Sequence, residues 1–273
     1  ADYCKSKGST AVIYKKNETN LGIVKNYEQC FLLAHGELLV TCSGDDVSLP
    51  NRVERLVSAW ESDGKKATII HHAWYAIDFA GRFIGCEGPR DSSYTLGACS
   101  AYRRDVFAHF PCVTELDAYE DMVFCARACL LGDSLIIDDK LVCYRYGGTT
   151  TMFYNHFDMV RRNVQHDMAS LRQMALDVEY ARCNFDSGRI EVVEANNTSR
   201  KVGAIKRLEF FNARGIRERW KVGRRNRLII GPRSFFIWGV YCFPKWIGDL
   251  LGNAYFGLYY LTRLCKCRFD RKP

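Results

Sequence analysis

The stretch Leu38-Leu39-Val40-Thr41-Cys42-Ser43-Gly44-Asp45-Asp46 decides how the first half of the chain is read. A compact β-prone run over Glu37 to Cys42 is broken by Ser-Gly-Asp-Asp, so a strand delivers two adjacent carboxylates to its C-terminal end. In an open α/β sheet that end is where ligands bind. Hard oxygen ligands there suit Mg2+ or Mn2+, and such a metal commonly bridges to substrate phosphates. The structural alternative is that Asp45 or Asp46 caps the helix that follows.

Outward from this stretch, β and α signals alternate. Before it, Ala11 to Tyr14 reads as a short strand, and Gly22 to His35 carries apolar residues at a helical period closed by Gly36. After it, Pro50 opens a helix with Val53, Leu56, Val57 and Trp60 on one face. Ala67 to Ile77 reads as a long strand with Gly81 to Gly85 as its hairpin partner. Tyr119 to Leu131 is a helix ending at Gly132, and Ser134 to Tyr146 another strand. This order predicts an α/β fold with a Rossmann-like, mostly parallel sheet. Thr150 to Arg182 reads as helix and Asp186 to Thr198 as a polar loop. The predicted organisation is a core over 1–150, a helical and basic extension over 151–233, and an apolar, aromatic, membrane-associated segment over 234–273.

The 273 residues, 48% apolar and 26% charged, describe an ordinary globular protein and exclude collagen-like, low-complexity and wholly disordered chains. Thirteen cysteines are odd in number and never spaced C-x-x-C. That argues against a zinc ribbon or a disulfide framework, and for a reducing, cytosolic compartment with most thiols buried in apolar runs. The net charge of +8 is unevenly placed: residues 1–199 sum to −6 and residues 200–273 to +14. A basic tail seeks an anionic partner, a lipid surface or a nucleic acid. Arg214 to Arg227 interleaves Trp220 with cations, and an apolar, aromatic run, Phe235 to Leu261, follows. Pro244, Lys245 and Asp249 interrupt that run, so an interfacial or re-entrant element at an anionic membrane fits better than a clean span. A nucleic acid is not expected beside such a segment; a soluble helical hairpin or a solvated basic face are the plainer alternatives.

The motifs also resemble a known family. Asn20-Leu-Gly-Ile-Val-Lys-Asn26, Ala34-His-Gly-Glu37, Ser43-Gly-Asp-Asp46 and Leu49-Pro-Asn-Arg52 resemble the middle of a family 2 glycosyltransferase of the GT-A fold. Leu96-Gly97-Ala98 before Tyr102-Arg103-Arg104-Asp105 resembles its acceptor-side loop, Glu120-Asp121-Met122 its acidic pair at a helix start, and Leu141-Val-Cys-Tyr-Arg145 its closing strand. The order holds over residues 17–150. The resemblance implies an inverting transfer of a sugar from a nucleotide-diphosphate donor, a UDP-sugar favoured, to a polysaccharide, lipopolysaccharide or lipid-linked acceptor. Cell-surface polysaccharide synthesis at the cytosolic face of a membrane would be its setting. It implies Asp46 as the Mn2+ or Mg2+ ligand, and Asp45, Asn20, Gly22 and Arg52 on the donor. Gly97, Ala98 and Arg145 would lie on the acceptor side, with Asp121 as base beside Glu120. A carboxylate at a helix N-terminus is stabilised by the helix dipole, so Asp121 is expected to have a low pKa and to be a weak base.

Two departures qualify the pattern. The family's opening strands, which bind the nucleotide base, are not recognised before Ala11, so the core is expected to be incomplete. The chain would then be a truncated enzyme or a catalytically inactive remnant kept for membrane or partner binding. The acid found two places before the last Asp in many members is Gly44 here, and no His follows Tyr144-Arg145-Tyr146; His156 is expected on a helix surface. Adjacent His71 and His72 point to opposite faces of a strand and cannot easily share a metal. Cys99 is expected to be a buried thiol, and no phosphate-binding G-x-x-x-x-G-K-[ST] or G-x-G-x-x-G stretch occurs.

Overall fold

The computed structural model describes residues 12–89, 96–146, 156–185, 188–228, 239–243, 246–247, 249–251 and 254. Six strands form one sheet: β1 (Leu38–Val40), β2 (Val47–Ser48), β3 (Ile69–Ile77), β4 (Phe83–Glu87), β5 (Ser100–Arg103) and β6 (Ser134–Arg145). Their order is β1-β5-β3-β6-β2, with β4 also on β3. β3 is the axis. One edge pairs parallel with β6; the other pairs antiparallel with β5 at residues 69–71 and with β4 at residues 74–77. Only β3–β6 is parallel among the described pairs, so the sheet is mixed rather than mostly parallel. The β4 pair is antiparallel because β4 returns from β3 through a hairpin, whereas β1–β5, β2–β6 and β3–β5 join strands remote in sequence through tertiary packing.

Nearly every residue of β3 is buried, as a strand covered on both faces must be. Successive residues serve opposite layers. Ile69 joins Val24, Phe31, Tyr102, Phe107 and Phe124, while Ile70 joins Leu56, Trp60, Ala101 and Leu141. The first layer is built by α1 (Gly22–Leu33), the short α3 (Asp105–Ala108) and α4 (Glu120–Leu131); the second by α2 (Arg52–Ser62). Phe31 stacks on Phe107 at 3.8 Å between centroids and meets Phe124 edge-on at 5.6 Å, locking α1, α3 and α4 together. Full burial of such a ring stabilises by about 1.5–3 kcal/mol.

The C-terminal half is helical: α5 (His156–Asn184), α6 (Ile190–Asn212) and α7 (Gly215–Arg225). Phe110, Ala126 and Leu130 pack against Met174, Val178, Ala181 and Val193, so α5 and α6 lie directly on the α4 side of the sheet unit.

Several expectations change. Residues 12–17 form no strand, and Val12, Ile13 and Tyr14 are exposed. The buried stripe of α2 is Arg52, Leu56 and Trp60, while Val53 faces solvent, because the i, i+4, i+8 spacing selects one face. Residues 190–198, expected as loop, begin α6. Packing of Val193 and Ala204 holds helix through a polar Asn196-Asn197-Thr198 run whose own propensity is poor. Cysteines are not mainly buried: Cys30, Cys42, Cys86, Cys112 and Cys183 are exposed. Most of the 234–273 segment lies outside the described residues, and among the described residues no helix is long and apolar enough to cross a membrane.

Candidate active site

β1 ends at Val40, and the chain turns through Thr41 to Asp46 before β2. Thr41 anchors the turn from below, its hydroxyl within bonding reach of the Gly97 carbonyl and 2.7 Å from that of Ser100. Arg145, at the end of β6, grips it from the side. Its backbone N–H donates to Asp46 Oδ1 at 2.8 Å and its Nε to the Asp45 carbonyl at 2.8 Å. Its Nη1 reaches the carbonyls of Asp78 and Phe79 at 3.1 and 3.0 Å. Arg145 was expected on the acceptor side; the structure bonds it to the acidic turn instead, because β2 pairs with β6 at Cys143 and brings the strand end alongside.

Asp46 therefore has one oxygen committed and one not. Oδ2 is buried and has no partner. Burial and the neighbouring Asp45 raise its pKa, against the pull of the Arg145 N–H and the Arg145 and Arg52 guanidinium groups. Arg52 lies beneath the turn, 1% exposed, and binds the Ala98 carbonyl through Nη2 at 2.6 Å. Its Nε donates to His72 Nε2 at 3.2 Å, and His72 Nδ1 donates to the Ala73 carbonyl at 2.7 Å. That arrangement requires a neutral His72, and burial does push its pKa down to about 4. Arg52 Nη1 is left buried and unpartnered. A buried carboxylate oxygen and a buried guanidinium N–H, each lacking a partner, are the groups a cation and a phosphate would satisfy.

No group of three or more His, Cys, Asp or Glu side chains converges as a metal cage among the described residues. Asp46 Oδ2 alone fits a Mg2+- or Mn2+-like ion of the kind held by one or two carboxylates with substrate phosphates completing the shell.

The second acidic pair stands at the N-terminus of α4, behind the Gly97–Cys99 turn. Glu120 is 9% exposed; Asp121 keeps more of its surface open. Burial, then the charge of Asp121, pushes the Glu120 carboxyl up to about 8. Asp121 is pushed up to about 6 by burial, although the N–H groups of Met122 and Gly97 and the Arg200 charge oppose it. The expected low pKa for Asp121 is thus corrected: desolvation outweighs the helix N-terminus. Gly97 makes the approach possible, since a Cβ there would sit 2.6 Å from Glu120 Oε1. Tyr27 of α1 links the two acidic sites, because its hydroxyl bonds Ser43 while lying in the field of Glu120 and Asp121.

Of the predicted residues, Asp45, Asp46, Arg52, Ala98 and Arg145 gather around one turn, and Gly97, Glu120 and Asp121 form the adjoining group. Asn20 and Gly22 are placed elsewhere. Asn20 Oδ1 accepts the Gly22 N–H at 2.9 Å, and Gly22, at φ 74°, sits against the Leu116 carbonyl. They shape the start of α1. Tyr27 and Thr41 were not anticipated, and nothing in their spacing distinguishes them from core residues.

With this geometry in hand, comparison with known proteins is informative. The family described as Glycosyl transferase family 2 matches residues 1–110. Over those residues the chain is similar to family 2 glycosyltransferases. The crystal structure of S. aureus TarS, residues 1–349, in complex with UDP-GlcNAc superposes with a TM-score of 0.55 at 14% identity, covering 98% of this chain and 77% of that one. At that identity the likeness concerns the fold, and it supports the GT-A-like α/β architecture. No curated protein matches the sequence.

Proposed function

We propose that the domain transfers a sugar from a nucleotide-diphosphate donor to an acceptor hydroxyl with inversion, the donor diphosphate lying at the Asp45–Asp46 turn and the acceptor at Asp121. The observation that carries this reading is the pairing of a half-satisfied strand-end Asp46 with a buried Glu120 and half-buried Asp121 across the Gly97–Cys99 turn. The UDP-GlcNAc bound to the TarS structure favours a UDP-sugar. Asp46 Oδ2 would hold Mn2+ or Mg2+, which when bound neutralises charge on the leaving diphosphate. Arg145 holds that carboxylate in place, and Arg52 offers its free N–H beneath it. Both carboxyls are raised, Glu120 the further, so the pair favours sharing one proton and one charge near neutral pH, the state in which Asp121 can act as base. Asp121 takes the proton of the acceptor hydroxyl as its oxygen bonds the anomeric carbon and the bond from that carbon to the diphosphate breaks.

We further propose a glycan or lipid-linked acceptor at the cytosolic face of an anionic membrane, met through the basic third of the chain. On α7, Ile216 and Trp220 are exposed one turn apart beside Arg217, Lys221 and Arg224. The adjoining face packs inward: Arg219 donates to the Ala213 and Tyr241 carbonyls, both at 3.2 Å. An exposed apolar pair flanked by cations suits a lipid headgroup boundary.

Calorimetric titration of UDP with Mn2+ tests the donor site. Metal-dependent binding is expected, with a loss of at least ~10-fold in Asp46→Ala. Binding unaffected by Asp46→Ala, or no binding by the folded chain, would refute it.

A further inference from the structure

We propose that Ser170 and Gln173 of α5 are positioning residues for the transfer step: they fix the segment Thr114–Tyr119 and, through it, the turn of α4 on which Glu120 and Asp121 stand. The inference rests on the glycosyltransferase reading and adds to it a role for the C-terminal helices.

Between α3 and α4 the chain runs from Pro111 to Tyr119 without regular structure. Its backbone donors are met by side chains from elsewhere. Gln173 Oε1 accepts from Thr114 N at 2.8 Å, Thr114 Oγ1 at 3.1 Å and Glu115 N at 3.2 Å. Ser170 Oγ accepts the N–H of Tyr119, the residue just before Glu120, at 2.8 Å, and donates back to the His166 carbonyl at 2.8 Å. On the other flank of the acidic pair, Arg127 of α4 forms a two-pronged ion pair with Asp177 at 2.8 and 2.9 Å. Gln173 Nε2 donates to the same Asp177 Oδ1 at 3.0 Å, so loop, α5 and α4 are joined in one network. Ser170, Gln173, Asp177 and Arg127 are all at most 2% exposed. Water cannot replace any of these bonds if one is deleted, so a buried donor would be stranded or the segment would move.

Movement there matters for a geometric reason. Glu120 approaches Gly97 so closely that no Cβ fits between them. A small shift of the α4 N-terminus therefore either opens that contact or drives Glu120 into the turn, and Asp121 moves with it. The Asp45–Asp46 turn is gripped by Arg145, which makes no bond to α5, so its principal anchor lies outside this network, although Thr41 and Arg52 also bond to the Gly97–Cys99 turn. The residues at helical spacing Ser170, Gln173 and Asp177 form a polar stripe on an inward face, a pattern that carries no charge-run or motif signal in sequence.

The test uses the full chain with Ser170→Ala and Gln173→Met, both close in volume to the native residues, and Arg182→Ala as a control. Arg182, on the same helix but not bonded to the segment, belongs to exposed ion pairs with Glu179 and Glu194, of a kind that contributes little. Release of UDP from UDP-glucose, UDP-galactose and UDP-GlcNAc with Mn2+ measures transfer to water, UDP titration measures the donor site, and hydrogen exchange reports on residues 111–122. In both variants kcat should fall ~10- to 100-fold, while donor KM and UDP affinity stay within about twofold. Exchange should quicken over 111–122 and not over 38–48, and Arg182→Ala should resemble wild type. Unchanged kcat despite faster exchange, or kcat falling in parallel with UDP affinity, would overturn the positioning role. A wild-type chain that neither binds UDP nor turns over any of the three donors would overturn the glycosyltransferase reading itself, and with it this role.

Discussion

Glu120→Gln should stabilise the protein in a pH-dependent way. In the fold the Glu120 carboxyl is pushed from 4.5 to about 8, by burial first and by Asp121 second. A carboxyl with a raised folded-state pKa favours the fold while protonated; that contribution is full below the unfolded pKa and lost as pH rises through the folded one. Each tenfold change in proton affinity is worth about 1.4 kcal/mol, so wild type should lose on the order of 3–4 kcal/mol between roughly pH 4 and pH 8 through this group. Glutamine has the shape of the protonated acid and cannot ionise. The variant should therefore match wild type within about 1 kcal/mol near pH 4 and exceed it progressively up to about pH 8. Urea unfolding of both proteins at several pH values measures the difference. A difference that stays flat with pH, or one that grows toward acid, would refute the reasoning, because either would mean that Glu120 is ionised in the fold. The same argument predicts that Glu120→Gln keeps donor turnover within about tenfold, whereas Asp121→Asn loses ~10²- to 10⁴-fold, since only the latter removes the group that accepts the proton.

Gly97→Ala should cost about 1–3 kcal/mol of stability and lower turnover at least ~10-fold, because the new Cβ meets Glu120 Oε1 at 2.6 Å and Glu120 is too buried to swing clear; a wild-type melting temperature and rate would sink this account. Vesicle sedimentation should find the chain on phosphatidylglycerol-containing vesicles and not on neutral ones, with binding reduced in Trp220→Ala combined with Lys221→Glu; equal binding to both vesicle types, or none, would refute the membrane proposal.

The Asp45–Asp46 turn was legible because its signals are local. A β-prone run, a Ser-Gly-Asp-Asp break and a helix opening two residues after Pro50 each follow from short-range chemistry, and β1, the turn and α2 stand where they were expected. Strand direction was not legible, because β5 joins β3 antiparallel through tertiary packing that no window of the sequence encodes. Arg52 was placed on the donor by the resemblance of its Leu-Pro-Asn-Arg motif. Its position in the stripe Arg52, Leu56, Trp60 marks it as inward-facing, and that spacing was visible in the sequence. Glu28 offers the same lesson. It shares an inward face with Val24 and Phe31, and its carboxylate accepts the Val113 N–H at 2.8 Å. A polar residue on an apolar helical stripe is a prompt to look for a distant backbone donor rather than for solvent. The helices after residue 150 were read through their charge alone, so their inward polar stripe went unseen.

The acidic pair shows how two sound local arguments can conflict and how the fold decides between them. A carboxylate at a helix N-terminus should be held ionised, and the N–H groups of Met122 and Gly97 do point toward Asp121. Packing of α4 against α1, α3 and the sheet removes water from the same carboxyl, and two adjacent buried carboxylates cannot both carry charge cheaply. Desolvation wins, and the consequence is functional. A base held at very low pKa would take a hydroxyl proton only weakly, whereas Asp121 pushed up to about 6 is still ionised at neutral pH and binds a proton far more readily. On the proposed reading, the strength of the base is therefore set less by Asp121 than by its surroundings: the absent side chain at Gly97 that admits Glu120, and the helices that keep water away.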